Sequence, residues 1–343
     1  MKTIFNFLIL IIMSINVNAQ VKDYTLDPNL DNETKEFLKV LNTSGSPALE
    51  TLSKEDARQV LIGAQASIKV DLSGIEESEK TINADGYEIK LNIVRPEGVK
   101  ENLPVFMFIH GGGWILGDYP THQRLVRDLV VRSGAVAVFV NYTPSPEAQY
   151  PTAINEIYAA TKWVSKHGSK INVDGKRLAV VGNSVGGNMS AVTALRAKDD
   201  SSLDIKAQIL LWPVADATFS QESYKSYATD RFLTTRIMKW MWDQYTTDSK
   251  ERASIYASPL QANIDQLKGV APAVIMVAEN DILRDEAEMY ARKLDQAGVE
   301  VSTVRFNGTI HDFGLLNVLT DLPVTQSMLD FAGNQIKKYL DQK

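Results

Sequence analysis

Leu178-Ala179-Val180-Val181-Gly182-Asn183-Ser184-Val185-Gly186-Gly187-Asn188-Met189-Ser190-Ala191 is the stretch on which the fold turns. Its four leading apolar residues read as a buried parallel strand, and 188–195 reads as a helix. The Gly182-Asn183-Ser184-Val185-Gly186 pentapeptide therefore occupies a sharp strand-to-helix turn, the setting of a nucleophile elbow. A G-x-S-x-G pattern is weak by itself. Its weight comes from this context and from a second run, His110-Gly111-Gly112-Gly113-Trp114, which ends the apolar segment 105–109.

Outward from the elbow, strands are expected at 105–109, 135–140, 178–181, 207–211, 273–278 and 301–306, with helices at 123–132 and 153–166 and further helices between and after the later strands. This βαβ alternation predicts an α/β domain with a mostly parallel, doubly wound sheet, helices on both faces, and a ligand site outside the carboxyl ends of the strands. Ahead of it, 79–95 alternates around Asp85-Gly86, a hairpin closed by Pro96. Segments 32–41 and 53–68 read as amphipathic helices, the second capped by Ser53 with Asp56 three residues on. Segment 216–267 is too long for a crossover and rich in aromatics and Met, including Trp240 and Trp242, so it is expected to form a helical cap that packs with the N-terminal helices. The expected organisation is a signal peptide over 1–19, an N-terminal helical segment over 20–78, a core in two parts (79–215 and 268–343), and the cap inserted between them.

With 343 residues, 44% hydrophobic and 23% charged, the chain has ample core-forming capacity. A net charge of −6 and the lack of a Lys/Arg cluster argue against a nucleic-acid partner. Lys2, the apolar run 4–12 and Val17-Asn18-Ala19 before Gln20 have the layout of a secretory signal, so export to the periplasm or beyond is expected, with no membrane anchor after cleavage. The chain has no Cys, which removes thiolate nucleophiles, Cys-ligated zinc and lipid attachment at the cleavage site.

A serine hydroxyl needs a base within reach and a third group to orient that base. Of four histidines, His110 lies in the glycine run, His122 opens a helix and His167 ends one; His311 follows the last strand, downstream of Ser184 and of Asp281 at the end of the strand before. The order Ser, Asp, His is the one expected for this type of sheet. Glu279, Asp285 and Asp312 stand beside Asp281 as competing acids. The amides of Gly112 and Gly113, joined by that of Val185, are the candidates for an oxyanion hole.

With those residues placed, the sequence resembles the hormone-sensitive lipase family of α/β-hydrolases, the esterases that carry HGGG and GDSAGG motifs. The likeness runs from about Leu52 onward and includes His110 to Trp114, Gly182 to Asn188, Tyr142, Pro146, Glu147 and Pro151, Ser258-Pro259-Leu260 and 281–286, where the family's catalytic acid lies. It departs from the family at Asn183 (usually Asp), Val185 (Ala), Thr143 (Arg) and Asp312 (Gly). The resemblance implies an α/β-hydrolase fold and, with the N-terminal signal segment, the expectation is an exported serine carboxylesterase acting on a small-molecule ester of short-to-medium acyl chain, with no metal or organic cofactor. Whether it also forms a homodimer is left open. Two other readings stand beside it: an acetyl esterase of acetylated carbohydrates using the same residues, and a binding protein, against which the retention of His311 speaks.

Overall fold

The computed structural model describes residues 24–200 and 203–341; the expected signal segment lies outside them. Eight strands form one sheet: β1 (Ile75–Ala84), β2 (Tyr87–Pro96), β3 (Leu103–Ile109), β4 (Val136–Asn141), β5 (Val173–Asn183), β6 (Gln208–Leu211), β7 (Ala273–Asn280) and β8 (Val301–Ile310), in the order β1-β2-β4-β3-β5-β6-β7-β8. Pairing is antiparallel from β1 to β2 and from β2 to β4, and parallel from β4 across to β8. The expected hairpin at Asp85-Gly86 is present, both residues having positive φ, as a two-residue turn of this hand requires.

The helices are α1 (Asn32–Thr43), α2 (Lys54–Ala66), α3 (Tyr119–Ser133), α4 (Thr152–His167), α5 (Val185–Ala197), the short α6 (Ser223–Ser226), α7 (Thr235–Tyr245), α8 (Ser249–Arg252), α9 (Ile264–Leu267), then α10 (Arg284–Gln296) and α11 (Pro323–Leu340). Because side chains alternate across a strand, each parallel strand feeds two cores. Val105, Met107 and Ile109 join Val138 and Val180 under α4 and α5, while Phe106 and Phe108 join Phe139, Val181 and Met276 under α3 and α11. Burial on both faces is the reason these strands read as unbroken apolar runs rather than as alternations.

Element boundaries differ from the sequence expectation where a local device extends them. Helix α3 begins at Tyr119 instead of 123, since Asp118 accepts from the Thr121 amide and Thr121 Oγ1 accepts in return from the Asp118 amide, with Pro120 in the first turn. Helix α5 begins at Val185 instead of 188, directly after Ser184. Strand β5 begins at Val173 because Val173 and Asp174 pair with Leu103 and Pro104 ahead of a register shift. Between 216 and 267 lie four short helices, of which only α7, at 11 residues, spans more than about a turn. Contacts between this segment and the N-terminal helices include the Arg236–Glu50 ion pair and Lys54 Nζ, 4.7 Å from the Trp240 ring centre.

The edge strand β8 is covered by residues 27–31. Leu30 bridges Gly308 in parallel fashion, the Asp31 amide donates to the Gly308 carbonyl at 3.1 Å, and Asn280 Nδ2 donates to the Asn29 carbonyl at 2.7 Å. Asp27 is fixed in turn by a buried ion pair with Arg231 at 2.7 Å. No helix among the described residues is long and apolar enough to cross a membrane.

Candidate active site

The carboxyl ends of β5, β7 and β8 converge on one point. Strand β5 delivers Ser184, whose backbone at φ 54° and ψ −123° lies outside the usual regions for a side-chain-bearing residue, and α5 starts on the next residue. The chain that follows approaches β3 so closely that glycine is required at 186: a Cβ there would sit 1.9 Å from the Ile109 carbonyl oxygen. The Ser184 amide donates to the Leu211 carbonyl at 2.9 Å, and Asn188 Nδ2 ties α5 to the carbonyls of Val214 and Ala257 at 3.0 and 2.9 Å. The strain at Ser184 is thus held in place by hydrogen bonds to β6 and to the connections beyond it.

His311, one residue past β8, brings Nε2 to 3.0 Å from Ser184 Oγ and Nδ1 to 2.7 Å from Asp281 Oδ2. Asp281 follows β7 directly, and its other oxygen accepts the Leu283 amide at 3.0 Å. All three side chains are buried. Burial alone pulls the His311 imidazole toward the neutral form, but the charges of Asp281 and Asp312 and the Asp281 hydrogen bond outweigh it and raise its pKa above the ordinary histidine value. With Nδ1–H donating to Asp281, Nε2 is free to accept from the Ser184 hydroxyl.

The other acids named from sequence have different partners. Glu279 accepts the Gly308 amide at 2.8 Å, and Asp285 pairs with Arg284 and accepts the Ser223 amide. Asp312, by contrast, lies against the His311 ring. Its Oδ1 accepts from Trp212 Nε1 at 2.7 Å and Asn183 Nδ2 at 3.3 Å, and its Oδ2 stands 3.8 Å from His311 Nε2. Two of the four departures from the family pattern therefore touch each other: the Asn183 amide stands beside Ser184, and the Asp312 carboxylate stands beside His311. Asn183 Oδ1 also accepts the Gly111 amide at 2.9 Å, which couples the elbow to the glycine run.

Gly112 and Gly113 lie in that run at φ +108° and +63°. A Cβ on Gly112 would meet the Leu116 carbonyl oxygen at 2.3 Å, and one on Gly113 would meet Met241 Sδ of α7 at 2.2 Å. The turn is closed by the amides of Ile115 and Leu116 on the Gly112 carbonyl, at 3.2 and 2.8 Å. The amides of Gly112, Gly113 and Val185 donate to no other group among the described residues. Trp114, which follows, stacks on Tyr245 at 4.2 Å and meets Trp242 at 4.7 Å, so the aromatic part of the segment 216–267 packs directly onto the glycine turn.

The remaining histidines are framework. His110 Nδ1 donates to the Gly111 carbonyl at 2.8 Å and the ring stacks on Tyr142; burial, only partly offset by that bond, lowers its pKa to about 4. His122 is the fourth residue of α3, not its opening one, and is likewise buried and neutral. His167 packs on Trp163. Sequence reasoning missed Glu286, a fully buried carboxyl that accepts the amides of Ala215 and Asp216 at 2.7 and 3.3 Å where the chain leaves β6. Burial pushes its pKa well up, against the Ala215 hydrogen bond. A Glu in the first turn of an amphipathic helix carries no mark of that role. Among the described residues no group of three or more His, Cys, Asp or Glu could hold a metal ion.

Comparisons with known proteins agree with this fold. A family model described as the alpha/beta hydrolase fold matches residues 106–315. The carboxylic ester hydrolase LipN of Mycobacterium tuberculosis is 33% identical over 318 residues, 90% of this chain and 81% of that one. The ethyl acetate hydrolase of Pseudomonas putida is 29% identical over 270 residues, 77% and 84% of the two chains. The crystal structure of a thermostable esterase from Pseudomonas putida ECU1011 superimposes with a TM-score of 0.92 at 60% identity, covering 92% of this chain and 99% of that one.

Proposed function

Since the chain belongs to the hormone-sensitive lipase-like α/β-hydrolases and is a carboxylic ester hydrolase of small-molecule esters, we propose that Ser184, His311 and Asp281 carry its reaction through an acyl-enzyme. The observation that carries the proposal is the continuous path from Ser184 Oγ to His311 Nε2 at 3.0 Å and from His311 Nδ1 to Asp281 Oδ2 at 2.7 Å.

Ser184 Oγ attacks the ester carbonyl carbon as its proton passes to His311 Nε2. Asp281 keeps the imidazole in the tautomer that can accept this proton and stabilises the imidazolium that results. The carbonyl oxygen becomes an oxyanion, for which the amides of Gly112, Gly113 and Val185 supply donors, the last at the positive end of α5. His311 then gives the proton to the departing alkoxide. A water molecule, deprotonated by His311, repeats the sequence to release the carboxylic acid and restore Ser184.

The acyl group is short to medium. Met241 pressed onto Gly113 and the buried Ser184 support this, as does the name of the ethyl acetate hydrolase among the relatives. The residues 1–19 give the enzyme an export signal and a place outside the inner membrane. Acetylated sugars are a second substrate class that the same groups would serve.

The test is hydrolysis of p-nitrophenyl esters from acetate to palmitate by wild type and Ser184→Ala. Turnover is expected to peak at short chains and to drop in Ser184→Ala by roughly four orders of magnitude or more. Turnover that survives in Ser184→Ala would overturn the assignment.

A further inference from the structure

Arg58, on α2, lies outside the sheet and outside the groups assigned above, yet its guanidinium is engaged with the glycine turn. Nε donates to the Ile115 carbonyl at 2.9 Å, Nη2 donates to the Ser145 carbonyl at 3.2 Å, and the two terminal nitrogens form a bidentate pair with Glu147 at 2.8 Å each. The Ser145 amide donates in turn to the Trp114 carbonyl at 2.7 Å. Arg58 therefore completes a closed ring of hydrogen bonds that joins the N-terminal helical layer, the glycine turn and the segment 145–147.

The ring sits at one end of the turn, and the bond from the Gly111 amide to Asn183 Oδ1 sits at the other. Between these anchors lie Gly112 and Gly113, both in left-handed backbone conformations and neither with a side chain to restrict it. A pair of glycines has the widest conformational choice of any dipeptide, so the direction of its amides is set by the bonds that close the turn on the Gly112 carbonyl and by what holds its ends. The planar fork reaches two carbonyls and both carboxylate oxygens from three separate nitrogens, a spread that the single nitrogen of an ammonium group at the same place cannot match.

We propose that Arg58 is a positioning residue for the oxyanion turn, aiming the Gly112 and Gly113 amides through its bonds to Ile115 and Ser145, with Glu147 holding the guanidinium in register. This rests on the role given to those amides under Proposed function. It also makes the N-terminal helical layer part of the reaction machinery, because α2 supplies the group that fixes the turn. If Arg58 only linked surface elements, the partly exposed ion pair would contribute little, and Lys would replace it.

The test compares Arg58→Lys, Arg58→Gln and Glu147→Gln with wild type on p-nitrophenyl acetate, together with inhibition by a trifluoromethyl ketone. The ketone adds to Ser184 Oγ to give a hemiketal oxyanion, so its affinity reads the amides directly. Both Arg58 variants are expected to lower kcat about tenfold and to weaken the ketone by a similar factor, with KM changed by less than about twofold; Glu147→Gln falls between them and wild type. Wild-type kcat in Arg58→Lys, a change confined to KM, or loss of kcat without loss of ketone affinity would overturn the inference. So would failure of all three variants to fold, which would make the ring structural. Activity surviving in Ser184→Ala would defeat the underlying reading; an inert Ser184→Ala beside a normal Arg58→Lys would defeat this inference alone.

Discussion

The carboxyl edge of the sheet and the segment 216–267 above it are built by different means. At the edge, Ser184, Asp281 and His311 each stand within one residue of the end of a strand that is paired on at least one side, so the register of β5, β7 and β8 sets their separations. The overlying segment has short helices, and it touches the site through the side chains of Met241, Trp242 and Tyr245 packed on Gly113 and Trp114. Reactive groups need sub-ångström placement, which backbone pairing supplies; a substrate pocket needs shape, which side-chain packing supplies and can alter. Changes at the edge should therefore appear in kcat, and changes above it in stability and substrate choice.

The largest expected effect is at the edge. Asp281→Asn keeps the shape but removes the acceptor that fixes the His311 tautomer, and kcat should fall by about four orders of magnitude with the melting temperature little changed. A fall of only a few-fold would mean that another acid, Asp312 first, has taken over the imidazole. In the overlying segment, Trp242→Ala empties a fully buried site and should cost about 3–5 kcal/mol in denaturant unfolding. Unfolding that splits into two transitions would show that the segment melts by itself and would sharpen the contrast.

Two smaller effects probe the joins. His311 acts as base only when neutral, and its raised pKa places the acid limb of kcat/KM above the pH of an ordinary histidine, with activity lost as pH falls through it. Asp312→Asn takes away one of the two charges that raise it while leaving an acceptor for Trp212, so the limb should move to lower pH; an unmoved limb would remove Asp312 from the electrostatics of the site. Smallest of all, Lys54→Ala deletes the ammonium over the Trp240 ring and should change stability by less than about 1 kcal/mol.

Much of this was legible in the sequence because the signals were local. The run 105–109 is buried on both faces and reads as a strand for that reason, and Ser184 announces itself through the residues immediately around it. Asp281 stood out in the sequence by its place at a strand end and by the family likeness over 281–286, with Glu279, Asp285 and Asp312 as competitors; the 2.7 Å distance to the His311 imidazole sets it apart from them. The Asp312–Trp212 bond spans 100 residues and the Arg58–Glu147 pair 89, and no periodicity or motif encodes such a meeting. Four-residue helices such as α6 and α8 are too short to show a period.

The cover of β8 by residues 27–31 bears on where this enzyme can be cut. Helix α1 offers an obvious place to begin a shortened expression clone, and a chain started there would retain Ser184, Asp281 and His311, the side chains proposed to carry the reaction. It would also lose the Asn29 carbonyl that holds Asn280, the neighbour of Asp281, strip the partner from Gly308 three residues before His311, and leave Arg231 as a buried cation without its anion. Such a clone is expected to be soluble only with difficulty and to turn over slowly, while a start ahead of Asp27 preserves all three contacts. The minimal enzyme is thus longer than its minimal set of helices and strands.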